Sequence, residues 1–172
     1  FPYIRQNLDD IITVEDDELV AAFLDMVENH KMIVENSGLL TVAALKHLDV
    51  SDKRIVSILS GGNMDVITMS SVVQQGLILR DRIFTVSVLL PDKPGELCKV
   101  SGIIAAQQGN VIKLEHNQFV TTNRSAAVEL RITLECFGTD HKKQIIKALE
   151  KEGYKPKAVS YTHLRAHETR RH

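Results

Sequence analysis

The sequence predicts an α/β protein built in two parts, and two observations carry that reading. Over the first 79 residues, segments with helical apolar spacing alternate with short, continuously apolar runs. That is the pattern of a parallel sheet covered by helices on both faces. Beyond residue 80, long segments alternate apolar with polar residues, the period of strands with one buried face. A length of 172 residues leaves room for two small domains. The change of texture sets them at 1–79 and 80–159.

The first stretch, residues 1–14, opens in what reads as the middle of a strand and loop region. The chain is therefore expected to begin partway through a larger domain. Thr13, with Asp16 three residues later, has the spacing of a capping box. Glu15 to Glu18 place negative charge in the first turn, where the helix dipole favours it. Leu19, Val20, Phe23, Leu24 and Val27 repeat at helical spacing, and His30 and Lys31 stand at the far end. A helix is predicted over 15–30. Residues 31–35, KMIVE, predict a short buried strand or an extended approach. Residues 36–48 predict a second helix, whose Gly38, Ala43 and Ala44 permit close packing. After a polar turn at 49–53, residues 54–60, RIVSILS, predict another strand, which stops at Ser60-Gly61-Gly62-Asn63. Residues 65–76 predict a helix that ends on Gly76 as a C-terminal cap.

The second part reads as a strand at 82–90, a Pro/Gly turn at 91–97 and a helix at 96–109 carrying Leu97, Val100, Ile103 and Ile104. A strand at 110–120, a turn at 121–125 and a strand at 126–137 follow. In the last of these, Val128, Leu130, Ile132 and Leu134 share one face, and Glu129, Arg131, Thr133 and Glu135 the other. An amphipathic helix at 139–153, capped by Thr139 and ended by Gly153, leads into a short strand at 154–159. The order βαββαβ is that of the split βαβ, ferredoxin-like unit. An open strand edge in so small a sheet predicts a homo-oligomer.

Residues 160–172 fit neither part. They hold three of the seven histidines without metal-ligand spacing and have no apolar period. They resemble translated adapter or vector sequence and are expected to be a non-native, disordered tail.

Composition narrows the function classes. Hydrophobic residues make up 44% and charged residues 25%, as in soluble globular proteins. A net charge of −1 gives no nucleic-acid footprint. No apolar run approaches the ~20 residues that span a bilayer, so no membrane partner is expected. FPYIRQNLDD lacks the basic-then-apolar pattern of a signal peptide. Cys98 and Cys136, without His or Cys at metal spacing, read as buried thiols in a reducing cytosol.

Three places could carry chemistry. At Ser60–Asn63, a strand ending in glycines and leading into a helix would leave free N–H groups where parallel α/β sheets bind ligands. Ser60 adds a hydroxyl and Asn63 an amide donor and acceptor. The same four residues also read as a tight turn with Asn63 as helix N-cap. They match neither GxxxxGK[ST] nor GxGxxG. Glu35, just before Ser37 and Gly38, is either a solvated helix-start carboxylate or a carboxylate beside a cofactor. In the turn Pro91–Leu97, Asp92 and Glu96 read as turn and cap residues, and Gly95 as supplying positive φ or a tight helix entry. His116 reads as a surface histidine. No Gly-x-Ser-x-Gly or evident Ser/His/Asp set points to a hydrolase.

Taken together, VENSGLLTVAAL, IVSILSGGNMD and then GLILRDRIFTVSVLLPDKPGELCKVSGIIAAQQGNVIKLEHNQF resemble the C-terminal part of threonine ammonia-lyase (threonine dehydratase), in the form with one ACT domain. The resemblance covers residues 1 to about 159. It implies part of a fold-type II pyridoxal phosphate-enzyme α/β domain, followed by a ferredoxin-like ACT regulatory domain. The implied cofactor is pyridoxal 5′-phosphate. The implied reaction converts L-threonine to 2-oxobutanoate and ammonia, and L-serine to pyruvate. By resemblance, Ser60 lies beside the pyridine nitrogen, where a hydroxyl donates without protonating the ring, a weaker electron sink suited to β-elimination. Gly61 and Gly62 would flank the ring, Asn63 would fix the turn, and Glu35 would lie close to the cofactor. Asn36-Ser37 replaces the commoner Gly-Ala after that glutamate. The resemblance also implies an amino-acid effector, isoleucine or valine, at Asp92, Pro94, Gly95, Glu96, Leu97 and Asn110. The family's Schiff-base lysine, in a Ser-Phe-Lys-like context, and its glycine-rich phosphate loop are not in the chain. The expectation is a cytoplasmic fragment, inactive alone. Two other readings stay open: a non-catalytic amino-acid-binding regulatory module, and a nucleotide- or phosphate-binding domain using the SGGN turn.

Overall fold

A computed structural model describes residues 2–117 and 127–159. The turn expected at 121–125 and the tail at 160–172 lie outside the described residues. The chain divides into two compact units, Phe1–Leu79 and Arg80–His172.

The first unit holds α1 (Pro2–Asn7), α2 (Asp16–Asp25), α3 (Leu40–Ala43) and α4 (Val66–Leu79). α2 begins one capping box later than Thr13 predicted. Glu15 is the N-cap, and it and Glu18 satisfy each other's backbone N–H groups. The helix runs on as a π-turn, Met26–His30, and stops where Lys31 turns left-handed at φ 58°. Residues 36–48 form not one helix but three short pieces, with α3 flanked by 3₁₀ turns at Asn36–Leu39 and Ala44–His47. α2 packs on α4 around buried Val20, Phe23 and Val72. Gly76 does not end α4. It lies inside the helix, where a Cβ would run into the Leu24 side chain, so it allows the two helices to approach.

The two strands expected in this unit are not formed. Among the described residues, every strand belongs to the second unit, so the parallel sheet predicted for residues 1–79 is absent from it. Residues 31–35 and 54–60 share one backbone hydrogen bond near their ends, from the Glu35 N–H to the Gly61 carbonyl at 3.3 Å. Ile33, Val56 and Ile58 are exposed. An apolar run signals a strand only when a neighbour supplies the ladder, and here one bond stands where a ladder was expected.

The second unit runs β1 (Ile83–Pro91), α5 (Glu96–Ala106), β2 (Asn110–Asn117), β3 (Ala127–Glu135), α6 (Thr139–Lys151) and β4 (Lys157–Val159). The sheet is antiparallel in the order β2-β3-β1-β4, compatible with a ferredoxin-like domain. β1 and β3 pair along their full length, from Ile83↔Glu135 to Pro91↔Ala127. Phe84, Val86, Val88 and Leu90 alternate onto the same face as Leu130, Ile132 and Leu134, and Val100, Ile104, Ile145 and Leu149 of the helices close over them. β4 is shorter than predicted and pairs only with Thr85–Ser87. Thr139 does not cap α6. It is the first helical residue, and its hydroxyl donates to Asp81 Oδ2 at 2.8 Å. Cys136 is buried as expected, but Cys98 is exposed. No described helix is long and apolar enough to cross a membrane.

Candidate functional site

The structure brings Glu35, Gly38 and Ser60–Asn63 into one cluster. The Asn63 N–H donates to Glu35 Oε2 at 3.2 Å, and the Ser37 hydroxyl donates to Oε1 at 2.8 Å. Gly61 has φ +78°, and a Cβ there would overlap the Glu35 carboxylate. Only glycine accommodates both constraints. Gly38 is equally crowded, because a Cβ would run into the Ser60 carbonyl. Glu35 therefore binds the turn itself, and its carboxylate is engaged by protein donors. Gly62 is open by comparison, with only the Ile33 carbonyl 3.8 Å from where a Cβ would stand. The Ser60 side chain is exposed. The spacing of motifs had singled out Glu35 and Ser60–Asn63 but not Ser37, whose bond to Glu35 no pattern announces.

Asn63 is not the cap of the following helix. Asp65 is: its Oδ1 accepts from the N–H groups of Ile67 and Thr68, both at 2.9 Å. The Thr68 hydroxyl, first among the causes, and these N–H groups hold the Asp65 carboxyl below its ordinary range. The first turn of α4 is thus filled by the chain's own carboxylate, which argues against an anion seated there.

In the second unit the turn residues do not gather at one point with Asn110. Asp92, Pro94, Gly95, Glu96 and Leu97 follow the end of β1, and Gly95 enters α5 at φ +91°. Asn110 pairs with Glu135, which pairs with Ile83 at the other end of β1. The separation is about 26 Å along the strand, at ~3.3 Å per residue. The Asn110 amide donates to Glu135 Oε2 at 3.1 Å. Of the turn residues, Pro91 and Glu96 line an open cleft of about 910 Å³ with Leu89, Lys99, Gly102 and Tyr154. Lys99 Nζ lies 2.7 Å from Glu96 Oε1, and the Tyr154 hydroxyl donates to Oε2 at 3.0 Å. Lys99 foremost, then Tyr154, holds the Glu96 carboxyl low, while burial first and then Glu96 push the Tyr154 hydroxyl up. His116 is exposed, as expected. Among the described residues no three His, Cys, Asp or Glu side chains group as a metal site.

The chain is 35% identical over 156 residues to an L-threonine ammonia-lyase of Geobacter sulfurreducens, an alignment covering 90% of this chain and 39% of that protein. Over nine tenths of its length the chain is similar to threonine ammonia-lyases. It is 29% identical over 160 residues to an L-threonine ammonia-lyase of Thermotoga maritima, covering 92% of this chain and 40% of that one. It is 28% identical over 158 residues to the L-threonine dehydratase biosynthetic IlvA of Pasteurella multocida, covering 90% of this chain and 30% of that one. This threonine ammonia-lyase relative thus spans between 30% and 40% of the length of these three curated relatives. No protein-family model matches the chain.

Proposed function

We propose that this chain is the C-terminal portion of a pyridoxal phosphate-dependent threonine ammonia-lyase. Its parent converts L-threonine to 2-oxobutanoate and ammonia, and L-serine to pyruvate, in the cytoplasm. The first unit is part of the catalytic domain, and the second is an ACT-type regulatory domain that senses an amino acid. Similarity over nine tenths of the chain supports this. The observation that carries it is the Ser60–Asn63 turn locked against Glu35 by two glycines with no room for a side chain.

The residues present fit one wall of a cofactor pocket. Ser60 offers an exposed hydroxyl, and Gly62 a backbone free of side-chain bulk. When bound, pyridoxal phosphate supplies an electron-withdrawing ring beside the substrate α-carbon. The Ser60 hydroxyl would donate to its ring nitrogen, and a hydroxyl does not transfer a full proton there. Gly62 would let the plane approach the backbone, while Gly61 closes the turn on Glu35. Glu35 and Asn63 keep the turn in shape from behind. The lysine and phosphate loop that complete the pocket belong to the parent outside this chain, and the fragment alone is inactive. An effector site using both Asp92–Leu97 and Asn110 takes the two groups from different copies, because one copy keeps them a strand's length apart. That requires a homo-oligomer.

The test is the parent protein, expressed from the reading frame extended upstream. Release of 2-oxobutanoate from L-threonine and visible absorption of bound cofactor are expected. No keto-acid release, or no lysine in a Ser-Phe-Lys-like context, overturns the reading. Ser60→Ala should loosen the cofactor, measured as pyridoxal phosphate retained after dialysis, with the fold intact. Unchanged retention and turnover remove Ser60 from the pocket.

A further inference from the structure

Glu35 holds the SGGN turn at two consecutive peptides. Its N–H donates to the Gly61 carbonyl at 3.3 Å, and its Oε2 accepts from the Asn63 N–H at 3.2 Å. The first bond fixes the peptide before Gly62, and the second fixes the peptide after it. Gly62 is thus held through both its peptides, while its own Cβ position stays open, with only the Ile33 carbonyl at 3.8 Å. Among the described residues the Ser60 hydroxyl and the Asn63 carboxamide have no hydrogen-bond partner. The backbone of the turn is tied to Glu35, and its polar side chains are uncommitted.

Two consecutive glycines make this the most easily reorganised stretch of the site, because glycine has more conformational freedom to lose than any other residue. The shape of the turn therefore depends on how firmly the Glu35 carboxylate is oriented. The last torsion of a glutamate, sp³ to sp², is broad. A bond to one oxygen leaves the carboxylate free to swing about it, whereas a second bond to the other oxygen sets its plane. Ser37 supplies that second bond: its hydroxyl donates to Oε1 at 2.8 Å. Oε1 is also the atom closest to the Cβ position of Gly61, so the serine pins the oxygen that stands over that glycine. Ser37 reaches back to Glu35 because a 3₁₀ turn begins there, with the Gly38 N–H donating to the Glu35 carbonyl at 2.9 Å.

We propose that Ser37 is a positioning residue of the Ser60–Asn63 site. Its hydroxyl orients the Glu35 carboxylate and, through it, the two peptides that flank Gly62. Glu35 acts here by shape and not by charge: the turn needs an acceptor at the Asn63 N–H and a polar atom at the Ser37 hydroxyl. Glutamine supplies both, since a hydroxyl accepts from an amide as well as it donates to a carboxylate. Aspartate, one methylene shorter, cannot span both partners. This role deepens the reading of the turn as one wall of a cofactor pocket, and rests on it.

The first arm of the test uses the 172-residue chain and needs no cofactor. Hydrogen exchange of the Asn63 amide is followed by NMR, with the fold of each variant confirmed by circular dichroism. Ser37→Ala should speed exchange about fivefold, the scale of one net hydrogen bond. Ser37→Thr, which keeps the hydroxyl, and Glu35→Gln should exchange as the unaltered chain does, and Glu35→Asp at least as fast as Ser37→Ala. Thr41→Val removes a different tie, from the Thr41 hydroxyl to the Ile58 carbonyl at 3.0 Å, and should leave Asn63 unchanged. Unchanged exchange in Ser37→Ala, no rescue by threonine, or equal acceleration by Thr41→Val overturns the assignment. Glu35→Gln as fast as Glu35→Asp overturns the role of shape over charge. The second arm uses the parent protein and reads the pyridoxal phosphate concentration that half-saturates it. That concentration should rise about fivefold in Ser37→Ala and return to normal in Ser37→Thr. Altered exchange with unchanged half-saturation overturns the role of Ser37 in the pocket. No cofactor binding by the unaltered parent overturns the pocket reading instead, and the exchange arm still decides the tie.

Discussion

Gly95 is the sharpest place to test how the turn before α5 is made. Its φ is +91° and its ψ −13°, a conformation L-residues rarely hold. A Cβ there would meet no atom within 4 Å, so a substitution brings no steric clash. The whole effect must come from backbone strain, of order 1–3 kcal/mol for an L-residue held outside its favoured regions. Valine, β-branched, belongs at the upper end. Asparagine, which visits the left-handed region readily, belongs at the lower end. For a domain of 60–100 residues, 1 kcal/mol moves the melting midpoint by about 4–8 °C. Gly95→Val should therefore lower the midpoint of the second unit by about 12–24 °C, and Gly95→Asn by about 4–8 °C. Circular dichroism melts give the midpoints, and hydrogen exchange in peptides from 83–91 assigns the transition to this unit. Equal losses for Val and Asn would refute the reasoning, because backbone strain separates the two and a lost contact does not.

Two further predictions concern the region around Asp81. Cys98 is exposed, whereas Cys136 is buried, its thiol donating to the Asp81 carbonyl at 2.8 Å and its pKa raised chiefly by burial. A thiol reagent should titrate one fast cysteine in the native chain and the second only on denaturation, and two fast thiols would contradict the packing. The Asp81 carboxylate accepts from Lys142 Nζ at 2.6 Å and from Thr139 at 2.8 Å, and the Lys142 bond is the main cause of its lowered pKa. A carboxylate whose folded pKa is depressed stabilises the fold above its unfolded pKa, about 3.9, and loses that contribution as pH falls through the folded value. Asp81→Asn should lower the midpoint at pH 7 by the equivalent of about 1 kcal/mol or less, since the pair is partly solvated. The difference should shrink on acidification below about pH 4. A difference that does not change with pH would assign the effect to packing.

The second unit was legible because each strand finds its partners within the same stretch of chain. The alternation Val128, Leu130, Ile132, Leu134 names a buried face, and all four are buried. In the first unit the same kind of signal misled. KMIVE and RIVSILS are apolar, but periodicity reports a tendency to be buried and not the neighbour that does the burying. Their ladder partners are not among the described residues. Gly76 looked like a cap because a helical glycine reads alike at an end and at a contact. Only Leu24, far away in sequence, decides between them. The SGGN turn shows the same division. Its glycines were visible as a motif, but the carboxylate that makes Gly61 obligatory stands 26 positions earlier, and nothing local points to it. The cleft goes one step further. Every residue that lines it was readable as strand, helix or turn, yet the edge of β1 beside Leu89 is left without a β4 partner because β4 begins at Lys157 rather than at Tyr154. A strand three residues longer would close the edge. The identity of an element follows from its pattern, whereas a vacancy follows from its boundary. Boundaries are set by competition between ladder bonds and the turn that precedes them, which no single segment of sequence contains.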